Sequence, residues 1–580
     1  MRQITRLLMV GLVALVVVAA LATAKAASIP GTATVSGVVD SSKPFKAAQV
    51  YFRNNEKRMV YMVYTVGGRY QASQLFPGEY EVSVATKGLQ NLASDVTKLT
   101  LKAGQNATMN LSLHDAAADR KEGVAYLKFD AVYPPGPGRE VAQRTCIYCH
   151  GQDFLPGKAW DESRWNGALD FMTGKGSRQG AMIQPKDMSP DDRKAIVGYL
   201  VKNFGPDAKP RAVLVEKDMP VDEAKVAHAE YIEYYFPVDA PGKGVNAPEY
   251  ANASTPFGHR RVGQDPQLDA EGNVWVTDRG FPNRILKLDP RTGEYKEWLT
   301  PEPKAGVHDL DIDRKNGILW LPENEGIPEG NLKLRAFNIK TEKWEQDYLM
   351  DPNQVIGKDG QLKHAQSLTF DSKGNIFNVF ILGGALGQWN RETKKFTTYP
   401  LPTPNSFPYG IVTDKNDNIW TAEFHGSKLA RLEPKTGKIT EFDAPIMPSL
   451  IRRLNVDDVD GTTIWYGLFS AGKLCRLDPK TGQTKMWTIP QQVSQPYDEV
   501  VENGQVWISD AGQGGALIKF DPKSETFTYY PSPQRADMPK IRLTKEGAIW
   551  YSPRSSQKGP GLGVLYPDIT KATTLAAVPR

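Results

Sequence analysis

The chain has 580 residues, a formal net charge of +5, 24% charged residues and three cysteines. That length calls for two to four domains, each burying its own core. Basic residues are interspersed with acids and no run of five like charges occurs, so a nucleic-acid footprint is absent. Three cysteines, Cys146, Cys149 and Cys475, cannot build a disulfide framework.

The first 27 residues have the three-part layout of a secretory signal. Arg2 and Arg6 precede an apolar run over 7–22, and Ala24-Lys25-Ala26 fits cleavage after Ala26. Cleavage is expected, and removal of Arg2, Arg6 and Lys25 leaves a mature charge of about +2. An uncleaved anchor is the competing reading, although the run falls short of a typical spanning helix. No later stretch is long and apolar enough to cross a bilayer, so the processed chain is expected in the periplasm, or otherwise exported, without a membrane span.

Residues 28–114 read as short strands separated by Gly and Pro turns, at 34–39, 48–52, 60–65, 80–86, 96–101 and 107–113, which predicts a small β-sandwich. The phrases Gly37-Val38-Val39, Gly67-Gly68-Arg69-Tyr70 and Pro77-Gly78-Glu79-Tyr80-Glu81-Val82 resemble the carboxypeptidase-regulatory-like, prealbumin-like family. The resemblance implies a scaffold or docking module that carries no chemistry.

A charged, proline-rich connector over 115–137 marks a boundary. The unit that follows, 138–206, is expected to be helical. Its last helix should start at the cap Ser189-Pro190-Asp191-Asp192, bury Ile196, Val197, Leu200 and Val201, and stop at Gly205-Pro206. The unit holds Cys146-Ile147-Tyr148-Cys149-His150. In C-x-x-C-H two thiols form thioethers with the haem vinyl groups, while the adjacent imidazole takes the iron from the proximal side. A zinc half-site would need further cysteines or histidines, and none lies between 151 and 227. A redox CxxC pair would need a βαβ context, which is missing. One covalent haem c is therefore expected, linked to Cys146 and Cys149 with iron on His150.

This unit resembles the class I cytochrome c family, which implies a loop methionine in the sixth iron position. Met182, in the irregular stretch Gly180-Ala181-Met182-Ile183-Gln184-Pro185 before the last helix, is the first choice. Met172 and Met188 are the alternatives, since methionine also fills gaps in cores.

Over 228–580 an internal repeat sets the fold. An aromatic recurs at Trp275, Trp320, Phe377, Trp420, Trp465, Trp507 and Trp550, 42 to 57 residues apart. Second strands end in acidic or proline turns, as in Leu286-Lys287-Leu288-Asp289-Pro290 and Lys519-Phe520-Asp521-Pro522, and outer strands such as Lys438-Ile439-Thr440-Glu441-Phe442 follow. Four strands per repeat is the pattern of a propeller blade, and seven aromatics predict seven blades. The last repeat has no outer strand of its own, whereas 230–237 offers one ahead of the first repeat. Ring closure is thus expected to pair residues near 232 with residues near 565, hiding an open sheet edge. The whole chain then reads as mainly β and multidomain: an N-terminal β-sandwich, a small all-α cytochrome c domain and a C-terminal seven-bladed β-propeller.

Aligned on the repeat aromatics, the inner strands begin at Gln264, His308, Gln366, Tyr409, Arg452 and Tyr497, with the seventh near Pro539 and Lys540. Three residues past the aromatic stand Asp278, Glu323, Glu423 and Asp510. Together with His308, His425 and Arg452 these could converge on one mouth and bind a divalent cation or a polar ligand; a polar, water-filled channel is the alternative. The phrases Pro408-Tyr409-Gly410-Ile411 and Asn418-Ile419-Trp420-Thr421-Ala422-Glu423 resemble the streptogramin B (virginiamycin B) lyase-like propellers. That resemblance implies ring opening of a cyclic depsipeptide by elimination with magnesium and a His/Glu constellation, here Glu423, His425 and Glu441. The preceding repeat departs from it, with Val379-Phe380-Ile381-Leu382 where another histidine would stand.

Three functions remain open at this stage. The favoured one is electron transfer or an oxidoreductase subunit, with a redox protein or a small-molecule electron donor as partner. The others are a carbon–oxygen lyase with an auxiliary haem and a non-catalytic docking protein. Cys475, on Lys473-Leu474-Cys475-Arg476, is expected to be a small buried residue.

Overall fold

The structure, a computed structural model, describes residues 29–580 except 89–90, 117–122, 148–149, 153, 174, 176–182, 184–187, 251–259, 324–331, 357–362, 448, 513–514 and 555–558. The expected signal segment, Cys149 and Met182 lie outside the described residues. Among the described residues no helix is long and apolar enough to cross a membrane.

The regular structure of the described residues is mainly β, arranged as a propeller-like ring of sheets with few helices. Six separate sheets of four or five strands follow one another from Gln267 to Pro531. The second repeat strand of each carries the aromatic into the interior, and Trp275, Phe377, Trp420, Trp465 and Trp507 are fully buried. Two contacts explain why this position recurs. Indole N–H groups donate to an acid at the preceding turn: Trp275 to Asp269 (2.8 Å), Trp420 to Asp414 (3.1 Å), Trp465 to Asp457 (2.9 Å) and Trp507 to Glu502 (3.1 Å). The ring faces pack on outer-strand aromatics, as in Trp275–Trp298 and Trp420–Phe442, both at 5.3 Å between centroids. Each of these four indoles thus satisfies its polar edge, and each aromatic pair adds about 0.5–1.5 kcal/mol beyond area burial.

The repeat around Trp550, expected as the seventh blade, does not form a sheet of its own. Its strands Ile541–Leu543, Ile549–Tyr551 and Gly561–Tyr566 do pair with Glu230–Tyr235, in the register Tyr231↔Leu565 and Ile232↔Val564. That closing strand, however, has a second neighbour, Met59–Tyr64, with Ile232 opposite Tyr61. The last four strands therefore belong to one thirteen-stranded sheet with the N-terminal strands, and six sheets stand alone. The reason lies in Glu230–Tyr235 itself. Five of its six residues are buried, so an outer strand of this composition must be covered on its free edge. The strand Arg69–Leu75, absent from the sequence expectation, pairs with Ala33–Ser41.

Between these β-rich parts lies the helical unit. Asp161 caps Glu162–Met172 by accepting from the Arg164 N–H (2.8 Å). Ser189 and Asp192 cap each other's ends of the first turn of Pro190–Phe204, as the sequence implied. Ile196, Val197 and Leu200 enter the local core with Val141, Cys146, Trp165 and Leu169. Gly138 opens this unit at φ 88°, and a Cβ there would stand 2.3 Å from the Ala195 carbonyl oxygen. Gly138→Ala should therefore cost ~2 kcal/mol by strain and by pushing the segment bearing Cys146 off the last helix; a lower thermal midpoint on heating the purified chain checks it.

Candidate functional site

Two cavities meet at His150. The first, about 190 Å³, lies inside the helical unit and is walled by Phe154, Leu155, Trp160, Trp165, Leu169 and Leu200, with Cys146, His150 and Met172 at its border. Cys146 is buried, and the His150 ring stacks on Phe154 at 4.0 Å. Ile183 is tied to the edge of this cavity, because its N–H donates to the Met172 carbonyl (2.8 Å) and it joins the lining. Of the three candidate methionines, Met172 borders the cavity, while Met188 is buried in the adjacent core. A thiol, an imidazole and a thioether around apolar walls are donors and surroundings that suit a haem, so the residues present fit that group.

His150 keeps accessible surface because it borders open space on two sides. The mass of protein around it, followed by the cations Lys158 and Arg452, lowers its pKa to about 4. The imidazole is accordingly neutral at pH 7, the form that can ligate a metal.

The second cavity, about 380 Å³, opens at the mouth of the ring and is lined by His150, Arg452, Phe469, Gln495, Tyr497, Ala511, Arg535, Ala536, Asp537 and Arg554. The connector after the helical unit holds this juxtaposition in place, since Gln492 Oε1 accepts from the N–H groups of Glu216 (2.8 Å) and Lys217 (3.2 Å). Several residues picked from the repeat come together here. Tyr409 and Tyr497 share a hydroxyl–hydroxyl hydrogen bond of 2.7 Å, and Arg452 Nη1 donates to the Tyr497 hydroxyl (3.2 Å). Gln264 Oε1 accepts from Arg554 Nη1 (3.2 Å) behind the wall, and His308 stands edge-on to Tyr409 at 6.3 Å. Burial raises the Tyr409 phenol, but Arg452, Arg554 and Arg453 outweigh it and bring its pKa down to about 8.

The four acids past the aromatics do not line this cavity. They sit where each strand ends, and the carboxylates of Asp278, Glu323 and Asp510 turn back onto local groups. Asp278 accepts from the N–H groups of Val262 (2.8 Å) and Gly280 (2.9 Å) and pairs with Arg261. Asp510 accepts from Gln495 (2.9 Å) and Gly512 (2.6 Å), and Glu323 pairs with Arg335. Glu423 is fully buried, while Glu441 accepts from the Thr403 N–H (2.8 Å) and from Lys428 Nζ (2.9 Å). The His425 ring packs on Phe407 at 4.6 Å. None of Glu423, His425 and Glu441 lines the mouth cavity, and no group of three or more His, Cys, Asp or Glu that could hold a metal ion occurs among the described residues.

Beneath the mouth lies a charged cluster absent from the sequence expectation. Asp309 accepts from His308 Nδ1 (2.7 Å), Ser367 Oγ (2.6 Å), Arg453 Nη1 (3.0 Å) and Lys540 Nζ (3.2 Å), and Lys540 also reaches Asp265 (2.7 Å). Burial alone would raise the Asp309 carboxyl, yet Arg453, Lys540 and His308 hold it well below the usual range. A signal for this cluster was present in the repeat: Asp265, Asp309, Arg453 and Asp498 each directly follow the inner-strand positions Gln264, His308, Arg452 and Tyr497. Arg535, Asp537 and Arg554 carried no such periodic signal.

The virginiamycin B lyase family matches the chain over residues 360–560. No curated protein matches it. Among solved structures, a streptogramin B lyase is similar at 20% identity and a TM-score of 0.47, covering 58% of this chain and 97% of that one. A virginiamycin B lyase from Staphylococcus aureus is similar at 21% identity and a TM-score of 0.45, covering 52% and 94%. U3-55K is similar at 8% identity and a TM-score of 0.43, covering 53% and 96%.

Proposed function

We propose that this chain is an exported, periplasmic c-type cytochrome whose propeller presents a ligand or partner to the haem-bearing unit. In this reading the four strands closed by Glu230–Tyr235 count as the seventh blade, and the N-terminal strands are a sandwich that braces it. Cys146 and Cys149 would anchor the haem, neutral His150 would ligate its iron, and Met182, Met172 or Met188 would supply a thioether ligand. The group, when bound, supplies one-electron exchange at iron, at a potential that a thioether ligand raises. The apolar walls around Trp165 and Leu169 exclude water from it. The observation that carries the reading is that His150 borders both the apolar cavity and the mouth of the ring, which gives a donor seated at the mouth a short path to the iron. The donor is a small molecule or a redox protein.

The test is a spectrum of the full chain matured in a periplasmic, haem-attaching host. A Soret band that survives acid–acetone extraction is expected, and it should be lost in the Cys146→Ala/Cys149→Ala double variant. A near-infrared sulfur-ligation band should disappear in one of Met182→Ala, Met172→Ala and Met188→Ala. A colourless protein with free thiols at both cysteines would overturn the reading.

The family match over 360–560 favours a second reading, elimination at Glu423, His425 and Glu441 with a divalent cation. Turnover of a cyclic depsipeptide that is unaffected by the double cysteine variant would support it.

A further inference from the structure

The mouth cavity has a chemical character that neither cytochrome nor lyase chemistry requires. Three guanidinium groups, from Arg452, Arg535 and Arg554, border it against a single carboxylate, Asp537. Arg452 and Arg554 are held in place. Arg452 lies over the rings of Phe469 at 4.1 Å and Tyr497 at 4.6 Å, and Arg554 is braced by Asp537 and by Gln264 Oε1. Tyr497, 2% exposed, lines the same space, and its hydroxyl is bonded to both Tyr409 and Arg452. Guanidinium forks match the geometry of carboxylate and sulfate oxygens and are weakly hydrated. Fixing them before a ligand arrives removes part of the ordering cost of binding. A cavity of about 380 Å³ suits a small molecule.

We infer that this cavity is a binding site for a small oxyanion, an organic carboxylate or an inorganic sulfate-like anion, held by Arg452, Arg535 and Arg554 beside His150. The inference rests on the proposed function only in placing a ligand at the mouth of the ring beside His150, while the residues that would hold the anion all belong to the propeller. The lowered pKa of Tyr409 is in keeping with a positive potential at this mouth.

Calorimetric titration of the matured full chain, at pH 6.5 and constant ionic strength, would use succinate, benzoate and sulfate, with succinamide and benzamide as uncharged counterparts. At least one oxyanion should bind with a Kd under ~1 mM, and its amide at least about tenfold more weakly. Arg452→Gln and Arg535→Gln should each weaken that binding about tenfold. Binding of succinate or benzoate without sulfate assigns an organic ligand, and the reverse an inorganic one. The inference is overturned if no oxyanion binds, if amides bind equally well, or if both variants bind like the wild type. Arg535 is exposed, so its variant keeps the test available should Arg452→Gln fail to fold. A chain without a Soret band that still binds oxyanions would sink the haem reading and leave this one standing; a coloured chain that binds none would do the opposite.

Discussion

Asp309→Asn should be among the most damaging single substitutions in the chain, costing ~3–5 kcal/mol of stability. The carboxylate is fully buried and is the shared acceptor for Arg453, Lys540, Ser367 and His308. Asparagine preserves the shape but removes the charge, leaving the Lys540 ammonium with Asp265 and the Arg453 guanidinium with only the charges of Asp498 and Asp265 deep in the ring. Removing one member of a buried ion cluster costs more than the cluster contributes, because the partners stay desolvated without compensation. In a chain this large the thermal midpoint should fall by only about 1 °C per kcal/mol. A double-mutant cycle with Arg453→Gln provides the check: the pair should cost clearly less than the two single substitutions added together. Additive losses, or a drop of less than about 1 kcal/mol for Asp309→Asn, would show that the cluster is not coupled.

Glu423→Gln should act in the opposite direction, and only at neutral and alkaline pH. The side chain is fully buried, and its carboxyl lies beside that of Glu441, close enough to share a hydrogen bond with it. Burial, followed by repulsion from Glu441, raises its pKa from an ordinary 4.5 to about 8; Lys428 lowers it and Asp443 adds to the rise. Between those two values the folded chain holds a proton that the unfolded chain has released. Stability from this residue is therefore complete below pH 4.5 and declines as pH rises to about 8. Glutamine mimics the protonated form and has no proton to lose. The variant should match the wild type near pH 4.5 and exceed it by up to ~4 kcal/mol above pH 8. Urea unfolding of both proteins at pH 5 and pH 8.5 measures this; equal pH slopes would contradict it. Glu230 and Glu499, also buried with strongly raised pKa values, are common to both proteins and cancel in the difference. The same property bears on the lyase reading, since a protonated Glu423 at neutral pH is a poor general base.

Some of this was legible one residue at a time. The helix cap Ser189/Asp192 and the apolar face Ile196, Val197 and Leu200 follow from local spacing alone, and they stand in the structure as read. The pairing of Ile232 with Val564 was also legible, because a missing outer strand at one end and a surplus strand at the other leave a single closure. The mouth acids were misjudged for a physical reason. A repeat alignment says that Asp278 and Asp510 occupy equivalent positions, but it does not say whether a carboxylate faces the cavity or turns back to accept loop N–H groups, as both do.

Local pattern by itself determined the repeat, the helical unit and the C-x-x-C-H motif at 146–150, because periodicity, capping and the spacing of cysteines and histidine are encoded in neighbours along the chain. Only the tertiary structure decided that Met59–Tyr64 covers the closing strand, that Arg452 and Arg554 border one cavity, and that His150 faces it from another part of the chain. Those outcomes depend on which buried edges and charges must be satisfied across hundreds of residues, a balance of desolvation and pairing that no short window of sequence contains.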